Sequence, residues 1–468
     1  MSIENQVFEV QKKHKIQMKN TSALYRLEKI KKLKSLILEK KDQINEALAL
    51  DFHKPHLETE LAEIMPVLGM LNLLEKELID WMSDERVASP LLFKGTKNWI
   101  RKEGKGNSLI ISPWNYPFQL TVYPVVTAFA AGNTSIVKPS EFTPHTNKII
   151  IEIFNEVFEQ KEVCILEGEV ELSTKLLKMP FDHVFFTGST SVGKIVMKAA
   201  SEHLASVVLE LGGKSPVIVD KGCDIEKAAK KIMWGKILNA GQTCVAPDYV
   251  LVHSDDKEKF INASKKFVEE VYQNELESSD DYSHIITQRH ADRLKDLIED
   301  AKKLGAKVEF GDADFENQRV VAPTILSEIN SDMKIMQDEI FGPVLPLITY
   351  DSIDSAIEYV NQYDNALAMY IFSNSKPVMN KIMDNTFNGG VTVNDVLIGV
   401  SHPTLPFGGA GKSGIGKYHG KHGFDSFSNL RSVTRRDMDL GTSYFYPPYT
   451  QTKYKIVNSL LKKFSSLF

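Results

Sequence analysis

Five short apolar runs constrain the fold most: "SLIIS" at 108–112, "TSIVK" at 134–138, "VCIL" at 163–166, "HVFFTG" at 183–188 and "SVVLELG" at 206–212. Helical stretches such as "TNKIIIEIFNEVF" separate them. Runs of Val, Ile and Phe with no alternating polar face belong to strands buried on both sides. Connections long enough for a helix let neighbouring runs pair in parallel. The expected fold class is therefore α/β, a parallel sheet covered by helices. A second α/β region is expected from about 213 to 395, with "SPVIVD", "DYVLVH" and "GGVTVND" as strands and a Lys/Glu-rich helix at 256–273. Ahead of both regions, residues 4–85 read as helical. Leu24, Leu27, Ile30, Leu33, Ile37 and Ile44 recur near helical spacing, and Asn20, Thr21 and Ser22 offer caps. From about 87, "LLFKGTKNWIRKEGKGN" alternates around Gly95, Gly104 and Gly106 as a hairpin does. Residues 398–437 are rich in Gly and Pro.

Composition narrows the partners. A chain of 468 residues carries two or three domains. Its net charge of −5 offers no global attraction to nucleic acid, and its 12 scattered His residues do not suggest a metal cage. Cys164, Cys223 and Cys244 are an odd number without paired spacing, which favours reduced thiols in a reducing, cytoplasmic setting. The N-terminal stretch lacks a signal-peptide pattern, and no uncharged apolar run spans a bilayer.

Four clusters carry chemistry. "FTGSTSVGKIV" at 186–196 fits the first seven positions of a P-loop, but Ile195 stands where magnesium needs a hydroxyl. It also fits a strand, a glycine turn and a helix start that holds a dinucleotide, or a tight turn with no ligand. In "KILNAGQTCVAPDYVLVH", Cys244 lies between Gly241 and Pro247 in a turn. Backbone N–H groups there would lower a thiol's pKa, although free cysteines are commonly inert. In "VVLELGGKSP", Glu210 interrupts an apolar strand just before Gly212 and Gly213. A buried carboxylate at such a strand end is either paired or used as a base. In "ISPWNYPFQL", Asn115 is held between Pro113 and Pro117 and is either a turn former or a donor to an oxyanion. Thiol, base, amide donor and dinucleotide turn together point to one reaction class. A thiolate adds to a carbonyl, hydride leaves to a nicotinamide, and water hydrolyses the thioester.

Motifs along nearly the whole chain resemble the aldehyde dehydrogenase superfamily: PWNYP at 113–117, VKPSE at 137–141, FTGSTSVGK at 186–194, LELGGKSP at 209–216, GQTCVAPDY at 241–249, EIFGPVLP at 339–346 and SHPTLPFGGAGKSGIG at 401–416. The short N-terminus, VTVND, SHPTLPFGG and "YPPYTQTK" resemble class 3, the branch that includes fatty aldehyde dehydrogenases. The resemblance implies Cys244 as nucleophile, Glu210 as the base for deacylating water, and Asn115 with the Cys244 N–H as oxyanion hole. It implies Lys138 and Glu141 at the adenosine ribose, Trp114 and Ser189 at the pyrophosphate, and Gly188 and Gly193 shaping that turn. Glu339 would hold the nicotinamide ribose beside Phe341, and Lys194 would be solvated. The cofactor is expected to be NAD, with NADP as an alternative because Lys138 offsets the repulsion between Glu141 and a 2′-phosphate. The implied division is a dinucleotide-binding domain at 1–86 and 108–211, a catalytic domain at 212–395, an oligomerisation element at 87–107 and 396–437, and a tail at 438–468. A homodimer acting on medium- or long-chain aliphatic or aromatic aldehydes is expected. A CoA-acylating relative would not need Glu210, and a non-catalytic relative would have no use for Cys244, Glu210 and Asn115 together.

The tail is amphipathic. Ile456, Val457, Leu460, Leu461, Phe464, Leu467 and Phe468 recur at helical spacing among Lys453, Lys455, Lys462 and Lys463. Three readings stand: packing against the protein or across a dimer, peripheral contact with an anionic membrane, or a frayed end.

Overall fold

The computed structural model describes residues 2–90, 93, 95–272, 275–438 and 446–464. They fall into two compact units, Met1–Trp81 with Gly104–Ser428 and Met82–Glu103 with Asn429–Phe468.

The first unit holds two largely parallel sheets. In one, the strand order is Gly414–Ile415, Ser206–Glu210, His183–Thr187, Asn107–Ile111, Thr134–Lys138, Val163–Ile165. Only the two-residue strand Gly414–Ile415 runs antiparallel. The apolar runs seen in the sequence are these strands, with ends moved by at most two residues. They are buried because helices cover the sheet. Val7 and Phe8 of helix Ile3–Lys19 and Val196 and Ala200 of helix Thr190–Ser201 join Leu109, Ile136 and Val184 in one apolar cluster. From Asn107–Ile111 the chain moves outward to one side through Thr134–Lys138 and Val163–Ile165, then returns to the other side at His183–Thr187. That reversal leaves a crevice at the strands' carboxyl ends, where open α/β sheets bind ligands.

The other sheet has the order Lys307–Phe310, Thr324–Ser327, Val344–Tyr350, Tyr249–His253, Pro216–Val219, Ala366–Phe372, Asn388–Val393. Lys307–Phe310 is its antiparallel edge, and its central strands are buried throughout.

The helices before residue 83 form where the spacing predicts. Helix Ala23–Glu39 begins at Ser22, whose hydroxyl accepts from the Tyr25 N–H. It buries Leu27, Ile30, Leu33 and Ile37, while Leu24 in its first turn stays exposed. Asp51 accepts from the His145 and Thr146 N–H groups and so caps helix Pro144–Val157 from a distant segment.

In the second unit, Glu85–Val87 pairs antiparallel with Thr96–Gly104, placing Arg86 opposite Trp99, and Ser428–Arg436 flanks the pair. Helix Gln451–Phe464 forms in the tail with Ile456 and Leu461 exposed. Leu467 and Phe468 lie outside the described residues. No helix among the described residues is long and apolar enough to cross a membrane. The two units divide the chain at other places than the sequence boundaries. Both sheets share the first unit, and strand Gly414–Ile415 ties residues around it to the first sheet.

Candidate active site

The nucleophile candidate sits on a strained loop. Helix Ile225–Ile237 ends and is followed by three consecutive left-handed residues, Asn239, Ala240 and Gly241, with φ of 53°, 50° and 71°. Two are not glycine, which costs of order 1 kcal/mol each unless neighbours fix the conformation. They do so here. The Asn239 N–H donates to Glu58 Oε2 at 3.1 Å, and its side-chain amide donates to the Asn115 carbonyl at 2.9 Å. Gln242 Nε2 donates to the carbonyls of Asn239 and His284, and its Oε1 accepts from the Ile286 N–H. Gly241 passes so close to Gly342 that a Cβ would lie 2.3 Å from the Gly342 oxygen. Cys244 follows, just before strand Tyr249–His253.

Burial pushes the Cys244 thiol well above its ordinary value, and the charges of Glu339 and Glu210 push the same way. The N–H groups of Cys244 and Val245 act in the lowering direction expected from the turn, but burial outweighs them.

Asn115 follows strand Asn107–Ile111 on the loop fixed by Pro113 and Pro117. Its Nδ2 donates to the Gln242 carbonyl at 3.1 Å, so the amide reaches the nucleophile loop two residues before Cys244. Lys54 Nζ donates to the Asn115 carbonyl at 3.2 Å and forms a fully buried ion pair with Glu63 at 2.6 Å. Glu63 lies in the π-helical turn Glu60–Ile64 and also accepts from the Gln119 N–H. Such turns are frequent at functional sites.

Glu210 ends strand Ser206–Glu210, and its carbonyl accepts from the Gly188 N–H at 3.0 Å. Its side chain is buried and neither carboxylate oxygen has a hydrogen-bond partner. Burial raises it well above the usual carboxylate range, and Lys417 works against that rise. An unpartnered buried carboxylate costs the fold, which is what a reactive base requires and a structural ion pair would not show.

Two cavities converge here. A cleft of ≈ 270 Å³ is walled by Trp114, Asn115, Gly188, Ser189, Glu339 and Phe341, together with Glu210 and Cys244. The Trp114 ring meets Phe341 edge-on at 5.3 Å and His290 at 5.2 Å. Ser189 caps helix Thr190–Ser201 by accepting from the Val192 N–H, so the helix's N-terminal donors open on this wall. Gly193 is buried against Leu211, whose Cδ2 a Cβ would approach to 2.7 Å. It thus lets the helix sit on the sheet. A Cβ at Gly212 would stand 1.9 Å from Glu339 Oε2, so this glycine makes room for the carboxylate. Burial, with Asp248 adding to it, pushes Glu339 up to about 8. A helix N-terminus, an aromatic edge and a carboxylate cradled on glycine fit a dinucleotide. Lys138 and Glu141 form an ion pair at 2.5 Å at the end of the neighbouring strand, outside the cleft's lining. Lys194 is exposed.

The second cavity, ≈ 100 Å³, is mostly apolar, with Tyr116, Leu120, Leu238, Phe407, Tyr418 and His419 in its wall. Thr187, Glu210, Leu211 and Cys244 line both cavities.

Sequence reasoning missed Lys54, Glu58, Glu63, His290, Arg293 and Lys417. Each reads locally as a charged or solvated position, and only tertiary contacts bring them to the site. The excess of turn-forming residues around Lys417 was the one visible hint.

Three comparisons bear on this arrangement. A family model described as "Aldehyde dehydrogenase family" matches residues 3–433. "Aldehyde dehydrogenase family 3 member A2" of Rattus norvegicus is 40% identical, covering 92% of this chain and 88% of its own. "Aldehyde dehydrogenase, dimeric NADP-preferring" of the same organism is 43% identical over 88% and 90% of the two chains. The solved substrate-bound structure of Staphylococcus aureus AldH superposes with a TM-score of 0.94 at 41% identity, covering 98% of this chain and 100% of that one.

Proposed function

The chain belongs to the aldehyde dehydrogenase family, and from that premise we propose how its residues divide the work of NAD(P)-dependent aldehyde oxidation. The convergence of the two cavities on Cys244 and Glu210 carries the reading. Trp114, Gly188, Ser189, Glu339 and Phe341 would hold NAD or NADP in the larger cleft, with Lys138 and Glu141, outside its lining, meeting the adenosine ribose. A dinucleotide bound there would supply the acceptor for the hydride that leaves the aldehyde carbon.

With its thiol proton given up to solvent, Cys244 Sγ adds to the carbonyl carbon of an aldehyde seated in the apolar cavity. Charge developing on the carbonyl oxygen is met by the Asn115 amide and the Cys244 N–H. After oxidation the acyl group remains on Cys244 as a thioester. Glu210, its oxygens free of other partners, takes a proton from water. The resulting hydroxide attacks the thioester carbon, releases the carboxylic acid and returns the thiolate.

The mostly apolar lining supports medium- or long-chain aliphatic or aromatic aldehydes as substrates. A homodimer in the cytoplasm completes the reading, and the dimeric relative supports the first of these. Peripheral membrane contact through the C-terminal helix finds no support in the relatives and is left out of it.

The test is cofactor reduction followed by absorbance across an aldehyde panel, with NAD or NADP and with or without CoA. Turnover without CoA, rising with apolar chain length, is expected. Strict dependence on CoA would overturn the hydrolytic role of Glu210.

A further inference from the structure

Lys417 has no part in the chemistry above, yet the fold fixes it beside the base. It follows strand Gly414–Ile415, which pairs Gly414 with Glu210 and Ile415 with Leu209. Its ammonium donates to the carbonyls of Gly408, Gly389 and Gly409, the last two at 3.2 and 3.3 Å. Three acceptors satisfy its three donors and immobilise the charge. Between the two side chains lies Gly408, at φ 150°. A Cβ there would stand 2.8 Å from Glu210 Oε1 and 3.0 Å from Lys417 Cδ. The bare backbone of this glycine therefore lets the cation and the carboxylate face each other without a hydrogen bond.

The other groups around Glu210 cannot do the same. Across the cleft stand Cys244 and Glu339, both neutral or negative, and Tyr418 adds a buried hydroxyl. His290 shares the cleft, but burial lowers its pKa, as do Arg289 and Arg293. Arg293 shares the cleft as well, but it donates to the Ile340 carbonyl, and its field falls on Asp248, Glu339 and Asp338.

On the reading that Glu210 is the base, we infer that Lys417 is a positioning residue for hydrolysis, a caged cation that keeps Glu210 able to ionise while leaving both carboxylate oxygens free for water. Each side chain bears the mark of the other: Lys417 pulls Glu210 down against burial, and Glu210 pulls Lys417 up against its own. An ammonium bonded directly to Glu210 would occupy the lone pairs that the attacking water needs. One held by backbone carbonyls acts through space alone.

The experiment compares Lys417→Met, Lys417→Gln and Lys417→Arg with the parent enzyme by the pre-steady-state burst of reduced cofactor and the pH dependence of steady turnover. Removing a nearby opposite charge raises a carboxyl by about one pH unit. Lys417→Met should keep the burst, lose about tenfold in kcat near pH 7, and shift the acid limb of kcat upward by about one unit. Lys417→Arg should restore most of the loss. Lys417→Gln keeps a donor for the carbonyl cage but no charge, and it should behave like Lys417→Met. It also decides the matter should the methionine variant fail to fold. A parent-like pH profile in Lys417→Gln overturns the inference, as does a loss that takes the burst with it and is not rescued by arginine. Placed in a Glu210→Gln background, Lys417→Met should cost nothing more. If Glu210→Gln itself turns over like the parent, the assignment of the base has failed rather than the role of Lys417.

Discussion

At the scale of single residues, the site is built from groups held in states that cost the fold. Cys244 is a thiol pushed upward by burial, and Glu210 a carboxylate with no partner. Cys244→Ala should bind cofactor and show no aldehyde-dependent reduction, because the covalent path is gone. Reduction near the parent rate would move the nucleophile elsewhere. Glu210→Gln keeps shape and removes basicity. A burst of reduced cofactor should persist while steady turnover falls by about 10²–10⁴, and unchanged steady turnover would remove Glu210 from the mechanism. Glu58 adds a pH signature. Burial pushes it up to about 7, against about 4.3 for a free glutamate. Between those values the folded chain keeps a proton that the unfolded chain releases. The residue therefore erodes stability as pH rises through that window and no further. The melting temperature of Glu58→Gln relative to the parent should accordingly increase from about pH 5 to about pH 8. A constant difference would show that Glu58 is not held in its raised state.

At the scale of elements, glycines decide how closely the pieces approach. Gly212 lets Glu339 lie against the end of the first sheet, and alanine there would put a methyl 1.9 Å from its carboxylate. Gly212→Ala should raise the KM for NAD by about fivefold, since a displaced carboxyl loses a hydrogen bond of about 1 kcal/mol. An unchanged KM would mean that Glu339 does not touch the cofactor. The same scale shows what the sequence could and could not disclose. Strands such as Asn107–Ile111 and His183–Thr187 were legible because burial on both faces leaves an unbroken apolar run. Cys244, Glu210 and the turn at Gly188 stood out as candidates because each breaks a local pattern: a thiol in a turn, a carboxylate in a strand, a glycine at a helix start. Lys54, Glu63 and Lys417 break no local pattern. Their roles come from segments far apart in the chain, such as Lys54 with Asn115 and Lys417 with Gly389, and periodicity carries no information about those meetings. Leu24 shows the converse, an apolar residue in helical register that the fold leaves in solvent.

At the scale of the whole molecule, the first unit carries both sheets and both cavities, and a dimer is the expected assembly. Sedimentation velocity on the full chain should give a single species at twice the chain mass, and a monomer at micromolar concentration would reject it. The meeting of two differently lined cavities on one thiol also imposes a traffic rule. On the proposed mechanism, an acyl chain on Cys244 would fill the apolar cavity, and water would reach the thioester through the other. That passage is the one proposed to hold the dinucleotide. Molecules that linger in the larger cleft should then slow hydrolysis and leave the acyl group on Cys244.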